Sequence, residues 1–306
     1  MKIISLVENT THSDLKAKHG LSLYIETKKH KILFDLGPNH TLFENARKKN
    51  IDLSQVDIVI ISHGHRDHGG ALKDFLNVNS SAKIYIQKKA FEAHYSKTLF
   101  IKIPVGLDQS LKEHKQIQLL DGDYKIDDEL SLFTVSQVDQ LRSSVNDVLY
   151  DENGKDTFAH EQNLIISGNK KVLVMGCGHA GIVNILNKVQ AYQLDYCIGG
   201  FHLYNPLNRN GECQKISYFY FYGAAVLRCR ISDLYVWQWM SVALCCFLWL
   251  PAVLYCLLRL SAGCLWSGDL LARVCAGAAL TRAQVYPVNP AESETAVCLV
   301  VCFCFP

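Results

Sequence analysis

Along the first two-thirds of the chain the spacing of apolar and polar positions changes repeatedly, and each change predicts an element. Apolar runs predict strands at "KIISLV" (2–7), "LSLYIE" (21–26) and "KILFDL" (31–36). In "HTLFENARKKN" (40–50), Leu42, Phe43 and Ala46 fall at helical spacing and Asn50 is a tolerable stop. "DIVIIS" (57–62) is apolar without alternation, as in a strand covered on both faces. A helix is expected from Gly69–Gly70, carrying Leu72, Phe75 and Leu76. Strands follow at "AKIYIQ" (82–87), "IQLL" (117–120), "LSLFTV" (130–135), "NLIIS" (163–167) and "KVLVM" (171–175). A helix fits "AGIVNILNKVQ" (180–190) and a strand "DYCIG" (195–199). Residues 136–160 are polar and without period, and read as a long loop over a site. Turns as short as "TKKH" join neighbouring strands, so two packed sheets with helices outside fit better than one parallel sheet.

Composition changes this picture in one respect. Over the 306 residues, 31 basic and 29 acidic side chains leave a net charge of +2, which argues against nucleic acid or an anionic membrane as the main partner. The apolar run before Glu8 is too short for a signal-peptide core, so a cytoplasmic location is expected. The totals conceal a break, however. All lysines and histidines lie at or before Lys215, all tryptophans at or after Trp237, and most cysteines at or after Cys213. Residues 1–215 and 216–306 therefore read as two different compositions joined together.

Candidate chemistry concentrates in "SHGHRDHGG" (62–70). The segment follows a buried strand directly, so its side chains emerge at a strand end that can aim them. In an extended loop His63 and His65 point the same way and can reach one metal ion, while Asp67 and His68 diverge towards a second. Imidazole and carboxylate together suit zinc, and equally iron or manganese. The alternative is a solvated turn that is histidine-rich by accident.

This nonapeptide resembles the signature of the metallo-β-lactamase superfamily, and "ILFDLG" (32–37) resembles the family strand that brings an aspartate, here Asp35, under the metal loop. "GCGHAGIVNI" (176–185) and "GGFHL" (199–203) resemble the later histidine motifs of one branch, known for 7,8-dihydropterin-6-methyl-4-(β-D-ribofuranosyl)aminobenzene-5'-phosphate synthase and for metal-dependent hydrolases. "VENT", "HGLSLYIET" and "HEQNLII" also look like that branch, and the likeness spans 1–215. The resemblance implies an α+β fold, a four-layer αββα sandwich, with two divalent metal ions at one edge. His63, His65 and His179 would hold one ion, and Asp67, His68 and His202 the other. His179 and His202 each follow an apolar strand, as His63 does. His160 competes with His179 for the third position, with an ordinary surface residue as the commoner explanation. Asp35, His160, Glu161 and Cys177 are candidates for substrate contact or for supporting the ligands. Cys177 reads first as a small buried residue, with ligand and substrate contact as alternatives, and Glu161 reads as exposed at a strand start.

Two cations about 3.5–4 Å apart lower the pKa of a bridging water and polarise a phosphoryl or carbonyl oxygen. Asp67 then serves as ligand and orienter of the nucleophile. The expected activity is a metal-dependent hydrolase or a phosphate-handling transferase, the pterin synthase included, acting on a small phosphate-bearing molecule. Lys97, Lys102 and "LNRNGECQK" (207–215) are candidate phosphate contacts, with ordinary charged loops as the commoner explanation. A non-catalytic metal-binding protein of the same fold and a membrane-tethered protein are the alternatives.

The branch continues past residue 215 with more helix and strand and an H-C-T-G-like motif, which this chain lacks. Its Cys- and Trp-rich text has the character of a shifted reading frame or a foreign junction. Two other readings are a transmembrane helix over Leu234–Leu258, which has no charged residue, and a Cys-rich module ending in "CLVVCFC" (298–304).

Overall fold

Strands that are apolar on both faces need cover on both sides, and four layers supply it. The computed structural model describes residues 1–98, 101–136, 142–200, 202, 228–230 and 299–303. Strands β1 (Lys2–Val7), β2 (Ser22–Glu26), β3 (Lys31–Phe34), β4 (Ile58–Ile60), β5 (Lys83–Gln87) and β8 (Ile117–Leu120) form the first sheet, in the order β1-β2-β3-β4-β5-β8. β6 (Tyr95–Thr98), β7 (Ile101–Pro104) and β11 (Leu149–Tyr150) form a separate small sheet in the order β11-β6-β7. The second large sheet contains β9 (Tyr124–Lys125), β10 (Leu130–Phe133), β12 (Asn163–Ile166), β13 (Val172–Val174) and β14 (Tyr196–Gly200). Beyond β14 it continues through β16 (Leu299–Phe303) to β15 (Arg228–Arg230).

The inner core lies between the sheets. Ile32 and Phe34 of β3 and Ile58 and Ile60 of β4 meet Leu164 and Ile166 of β12 and Val172 and Val174 of β13. The residues between them point outward: Leu33 and Val59 pack under α1 (Thr41–Lys48) and α3 (Leu72–Val78). On the far side Ile165 and Leu173 pack under α4 (Ile182–Lys188). The predicted α+β, four-layer αββα arrangement is the one observed.

A strand apolar on both faces does not fix its own register, because a one-residue slip still buries apolar side chains on either side. For β3, paired in parallel with β4 as Ile32↔Ile58 and Phe34↔Ile60, the polar residue at its end does the fixing. Asp35 is fully buried and its N–H donates to Ile60 O at 2.8 Å. A slip would drive this carboxylate into the inner core.

Several expectations need amendment. The helix after the histidine motif begins earlier than Gly69: α2 (Arg66–Gly69) precedes α3, so the motif itself turns helical at its end. The stretch 136–160 is only partly irregular, since Ser144–Val148 form a 3-10 helix and Leu149–Tyr150 a strand. The β6–β7 hairpin was not foreseen, because its strand Ile101–Pro104 is exposed and carries no burial pattern to read. The segments 207–215 and Leu234–Leu258 lie outside the described residues. Among the described residues no helix is long and apolar enough to cross a membrane.

Candidate metal centre

Four segments converge at one edge of the sandwich because they leave parallel strands at their carboxyl ends. β3 and β4 run parallel in one sheet, and β13 and β14 in the other. The chain beyond β3 delivers Asp35, and beyond β4 the 62–70 motif; β13 leads to Cys177 and His179, and β14 to His202.

Asp35 organises the first half. Its backbone is left-handed (φ 60°), a conformation uncommon for a non-glycine residue and one that is kept where the surroundings demand it. The turn aims the carboxylate under the loop, where Oδ1 accepts from Ser62 N at 2.7 Å. Oδ2 accepts from Ser62 Oγ at 2.7 Å and from His68 Nδ1 at 2.6 Å. With its proton committed to Asp35, the Ser62 hydroxyl accepts from His63 Nδ1 at 2.8 Å. His63 therefore carries its proton on Nδ1 and presents a bare Nε2.

His179 is oriented in the same manner by a different partner. Asn146 Nδ2 donates to His179 O at 2.9 Å, which turns the amide oxygen towards His179 Nδ1 at 2.8 Å. An amide oxygen only accepts, so Nδ1 bears the proton and Nε2 is bare. The buried Glu161 carboxylate holds the loop itself, accepting from the N–H groups of His179 (2.7 Å) and Ala180 (2.8 Å). The exposed position expected for Glu161 is thus corrected: it is buried and serves as a backbone clamp. Gly176 is required by close approach, because a Cβ there would lie 2.1 Å from Ser62 Oγ.

Among the described residues, His63, His65 and His179 each bury an Nε2 without a hydrogen-bond partner. Ligand atoms of these three lie within 4.8 Å of one another. Leaving a buried polar atom unpartnered costs about 1–3 kcal/mol, so three cost roughly 3–9. That is comparable with the whole stability of a domain, about 5–15 kcal/mol. The set fits a divalent cation, which would satisfy all three at once.

Burial and the neighbouring histidines push His63 and His179 well below the ordinary imidazole value, and burial lowers His65 to about 3. All three are neutral donors near pH 7. His68 behaves oppositely: burial opposes its charge, but Cys177, Asp35 and Asp67 outweigh it and hold it well above the usual value. Burial pushes Cys177 up to about 12, so the sulfur is a thiol and the two carboxylates sustain the His68 charge. Asp67 lies 3.5 Å from His68 Nε2 and 3.5 Å from His19 Nε2. Although partial burial opposes its charge, His68, His65 and His19 keep its carboxyl below the usual range.

The remaining candidates separate clearly. His202, left-handed at φ 47°, packs at a tilt against His179 with ring centroids 4.3 Å apart. Ligand atoms of His202, His179 and Cys177 form a second compact group. Cys177 also groups with His63 and His68, its Sγ 3.2 Å from His68 Nε2. His160 is buried and stands with His65 and Asp156 in a further group whose ligand atoms lie within 4.8 Å of one another. Its Nδ1 accepts from Gly64 N at 2.9 Å and its Nε2 faces Asp156 Oδ2 at 3.2 Å, so both nitrogens are engaged. Lys97 and Lys102 lie over the rings of Tyr150 and Tyr95, at 5.4 and 4.2 Å.

Sequence reasoning missed Ser62, Asn146, His94, Asp156 and Gln162. Asp156 is buried, with Oδ2 2.9 Å from His94 Nδ1 and 3.2 Å from His160, behind the histidine loop. Gln162 ties the sheets together below the site: its N–H donates to Ser62 O, and its amide donates to Ile61 O and Tyr85 O. An ionisable residue inside an otherwise unpatterned stretch was the one available signal, and it applied to His94 and Asp156.

Comparison with known proteins follows the same lines. A family model described as "Metallo-beta-lactamase superfamily" matches residues 16–159. An uncharacterized protein of Methanocaldococcus jannaschii is 31% identical over 217 residues, covering 67% of this chain and 82% of the relative. The 7,8-dihydropterin-6-methyl-4-(beta-D-ribofuranosyl)-aminobenzene-5'-phosphate synthase of the same organism is 29% identical over 235 residues, covering 68% and 79%. The crystal structure of a metal-dependent hydrolase of the beta-lactamase superfamily superposes with a TM-score of 0.58 at 27% identity, covering 71% of this chain and 81% of that one.

Proposed function

This chain belongs to the metallo-β-lactamase superfamily, and on that premise we propose that it is a metal-dependent hydrolase with a centre built from His63, His65, His68, Asp67, His179 and His202. The observation that carries the reading is the convergence of three buried, bare imidazole nitrogens from two different sheets. Divalent cations bound there, zinc among them, would supply Lewis-acid polarisation of a phosphoryl or carbonyl oxygen.

The protein's own residues prepare that chemistry. The Asp35–Ser62–His63 and Asn146–His179 hydrogen bonds fix which nitrogen carries the proton and so which faces the site. Asp35 holds His68 through Nδ1, with Nε2 towards Asp67 and Cys177. Asp67 keeps a side-chain exposure of 23% and a carboxylate charge, so it can orient a water at the mouth of the site. The Glu161 clamp keeps the His179 loop from moving when substrate enters.

A small phosphate-bearing substrate is the finer reading, supported by the relative named as a pterin phosphate synthase. The same likeness favours a second reaction type, transfer rather than hydrolysis. The test is metal analysis of the purified chain after dialysis against zinc, followed by turnover on phosphodiester, phosphomonoester, thioester and lactam substrates. Bound metal with turnover on one class supports the proposal. An absence of bound transition metal ends it, and metal without turnover leaves a binding protein of this fold.

A further inference from the structure

His30, in the turn between β2 and β3, has a carboxylate on each ring nitrogen. Its Nδ1 lies 2.9 Å from Asp57 Oδ2 and its Nε2 2.7 Å from Asp127 Oδ2. Asp57 precedes β4 in the first sheet and Asp127 precedes β10 in the second, so one imidazole spans the seam between the sheets. This is the edge away from the metal centre. His30 and Asp57 stand at the amino ends of β3 and β4, and β10 begins opposite the end of β12, at Leu130↔Ile166. The backbone fixes both carboxylates independently of the ring. Asp57 Oδ1 accepts from Lys31 N at 2.9 Å, and Asp127 Oδ1 accepts from Glu129 N at 2.8 Å and Leu130 N at 2.9 Å. Each turns its second oxygen to His30, whose side chain is only 18% exposed. A carboxylate only accepts, so two of them on one ring need two N–H donors, which imidazolium has and neutral imidazole lacks.

We propose that His30 is a proton-dependent clasp between the two sheets, closed as imidazolium and released on one side as neutral imidazole. When it opens, one N–H bond breaks, the proton leaves to solvent, and the lone pair left on the ring faces a carboxylate oxygen. Burial opposes the His30 charge, but Asp57 and Asp127 outweigh it and hold the ring above its usual value of 6.5. The clasp's contribution to stability is therefore complete below pH 6.5 and is lost as pH rises through the raised value. Around it, Lys29 pairs with Asp128, and Glu129 accepts from Thr27 Oγ1 at 2.7 Å. Tyr24 of β2 feels Glu26 and Asp57, and Tyr85 of β5 feels Tyr124 and Asp127. Asp128 raises Lys29, and burial raises both tyrosines, so these three titrate well above neutral. The same two sheets lead to His63 and His179 at their other edge, so the clasp bears on ligand spacing without touching a ligand.

Asp127→Asn inverts the requirement without changing shape. Its amide oxygen keeps the Glu129 and Leu130 N–H groups, which turns an NH2 towards His30 Nε2 and makes that nitrogen the acceptor. The measurement is an NMR titration of the imidazole ring protons in the full chain, with His30 assigned by its absence from His30→Gln. His30 should titrate above 6.5 in the natural protein and at lower pH in Asp127→Asn. In urea unfolding the natural protein should exceed His30→Gln in midpoint at about pH 6, and the difference should shrink as pH is raised to about 9. A His30 midpoint at or below 6.5, no downward shift in Asp127→Asn, or a urea difference that stays constant over that range each overturns the clasp. Should His30→Gln fail to fold, the ring signal that moves in Asp127→Asn supplies the assignment, and the absence of any moving signal overturns the proposal. Neither readout depends on bound metal, so the clasp and the metal centre stand or fall separately.

Discussion

Replacing Asp35 by asparagine changes neither size nor shape, which makes Asp35→Asn a clean test of how the centre is held. The carboxylate accepts three hydrogen bonds, one at Oδ1 from Ser62 N and two at Oδ2 from Ser62 Oγ and His68 Nδ1. An amide keeps the first if its oxygen takes the Oδ1 place, but its NH2 then faces two donors. The Ser62 hydroxyl can rotate to accept, at the cost of its own donation. His68 escapes the clash only by giving up its Nδ1 proton and with it its positive charge, which leaves the remaining proton on Nε2 and no lone pair there for a cation. Two hydrogen bonds to a charged group are lost, worth about 1.5–3 kcal/mol each, so the metal-free protein should lose roughly 3 kcal/mol or more. A domain of ordinary stability, about 5–15 kcal/mol, survives this loss and can still be assayed. Metal affinity at the His68 position should fall about 10–100-fold. Urea unfolding of the metal-free protein and cobalt titration of the folded variant read the two effects separately. Unchanged urea midpoint together with metal affinity within about twofold of the natural protein would show that Asp35 does not hold the site.

Three further outcomes follow from the same geometry. His179→Ala removes one of the bare nitrogens and should lower zinc affinity by more than about a hundredfold by equilibrium dialysis, since ligand loss exceeds loss of a supporting bond; retained affinity would remove His179 from the ligand set. Asp156→Asn turns an NH2 towards His94 and His160 in place of a buried carboxylate oxygen and should destabilise the chain in urea unfolding by about 1.5–3 kcal/mol for each hydrogen bond lost; a loss below about 1 kcal/mol would show that the cluster is not structural. The metal-free protein should lose stability as pH falls. His63, His65 and His179 have folded values below the unfolded one, so the unfolded chain binds more protons below pH 6.5, up to about 1.4 kcal/mol per pH unit for each. Glu8 and Glu161, both raised to about 7, act with the opposite sign between 4.5 and 7. The decline should therefore be shallow down to about pH 4.5 and steep below it; a urea midpoint that rises on acidification contradicts this.

The legible part of the fold is the part built on buried strands. "DIVII" and "KVLVM" are apolar throughout, and β4 and β13 lie within the stretches predicted from them. β6 and β7 were illegible because exposed residues leave no alternation to read. The metal-facing histidines were legible because each follows such a strand and has a side chain with few other uses in that pattern. Asn146, Ser62 and Gln162 were not. Their work is done through hydrogen bonds to groups 33, 27 and 101 positions away in sequence, and an amide or hydroxyl has the same composition whether it orients a ligand or faces water. Glu161 misled for a related reason. A carboxylate at a strand start is ordinarily solvated, and only the arrival of the 179–180 backbone makes its burial tolerable.

Strand direction explains why the centre assembles where it does. An antiparallel pair sends successive strand ends to opposite edges, so two motifs following consecutive antiparallel strands would be separated by the length of the sheet. Here each sheet contributes a parallel pair, β3 with β4 and β13 with β14, and all four carboxyl ends open on one edge. The backbone then needs only short turns: Asp35 and His202 use left-handed residues, and the 62–70 motif folds into α2 within a few positions. Because the two halves belong to different sheets, the distance between His63 and His179 is set by the inter-sheet core and by Gly176 against Ser62. Side-chain volume in that core therefore governs ligand spacing. Enlarging Val174 or Leu164 by a single methylene should act on metal affinity before it acts on the fold, since overpacking costs about 1–3 kcal/mol while moving the sheets apart at the site. Val174→Leu is the direct form of this test: cobalt affinity should fall while the circular dichroism spectrum is unchanged, and a variant that binds cobalt normally would separate ligand spacing from core volume.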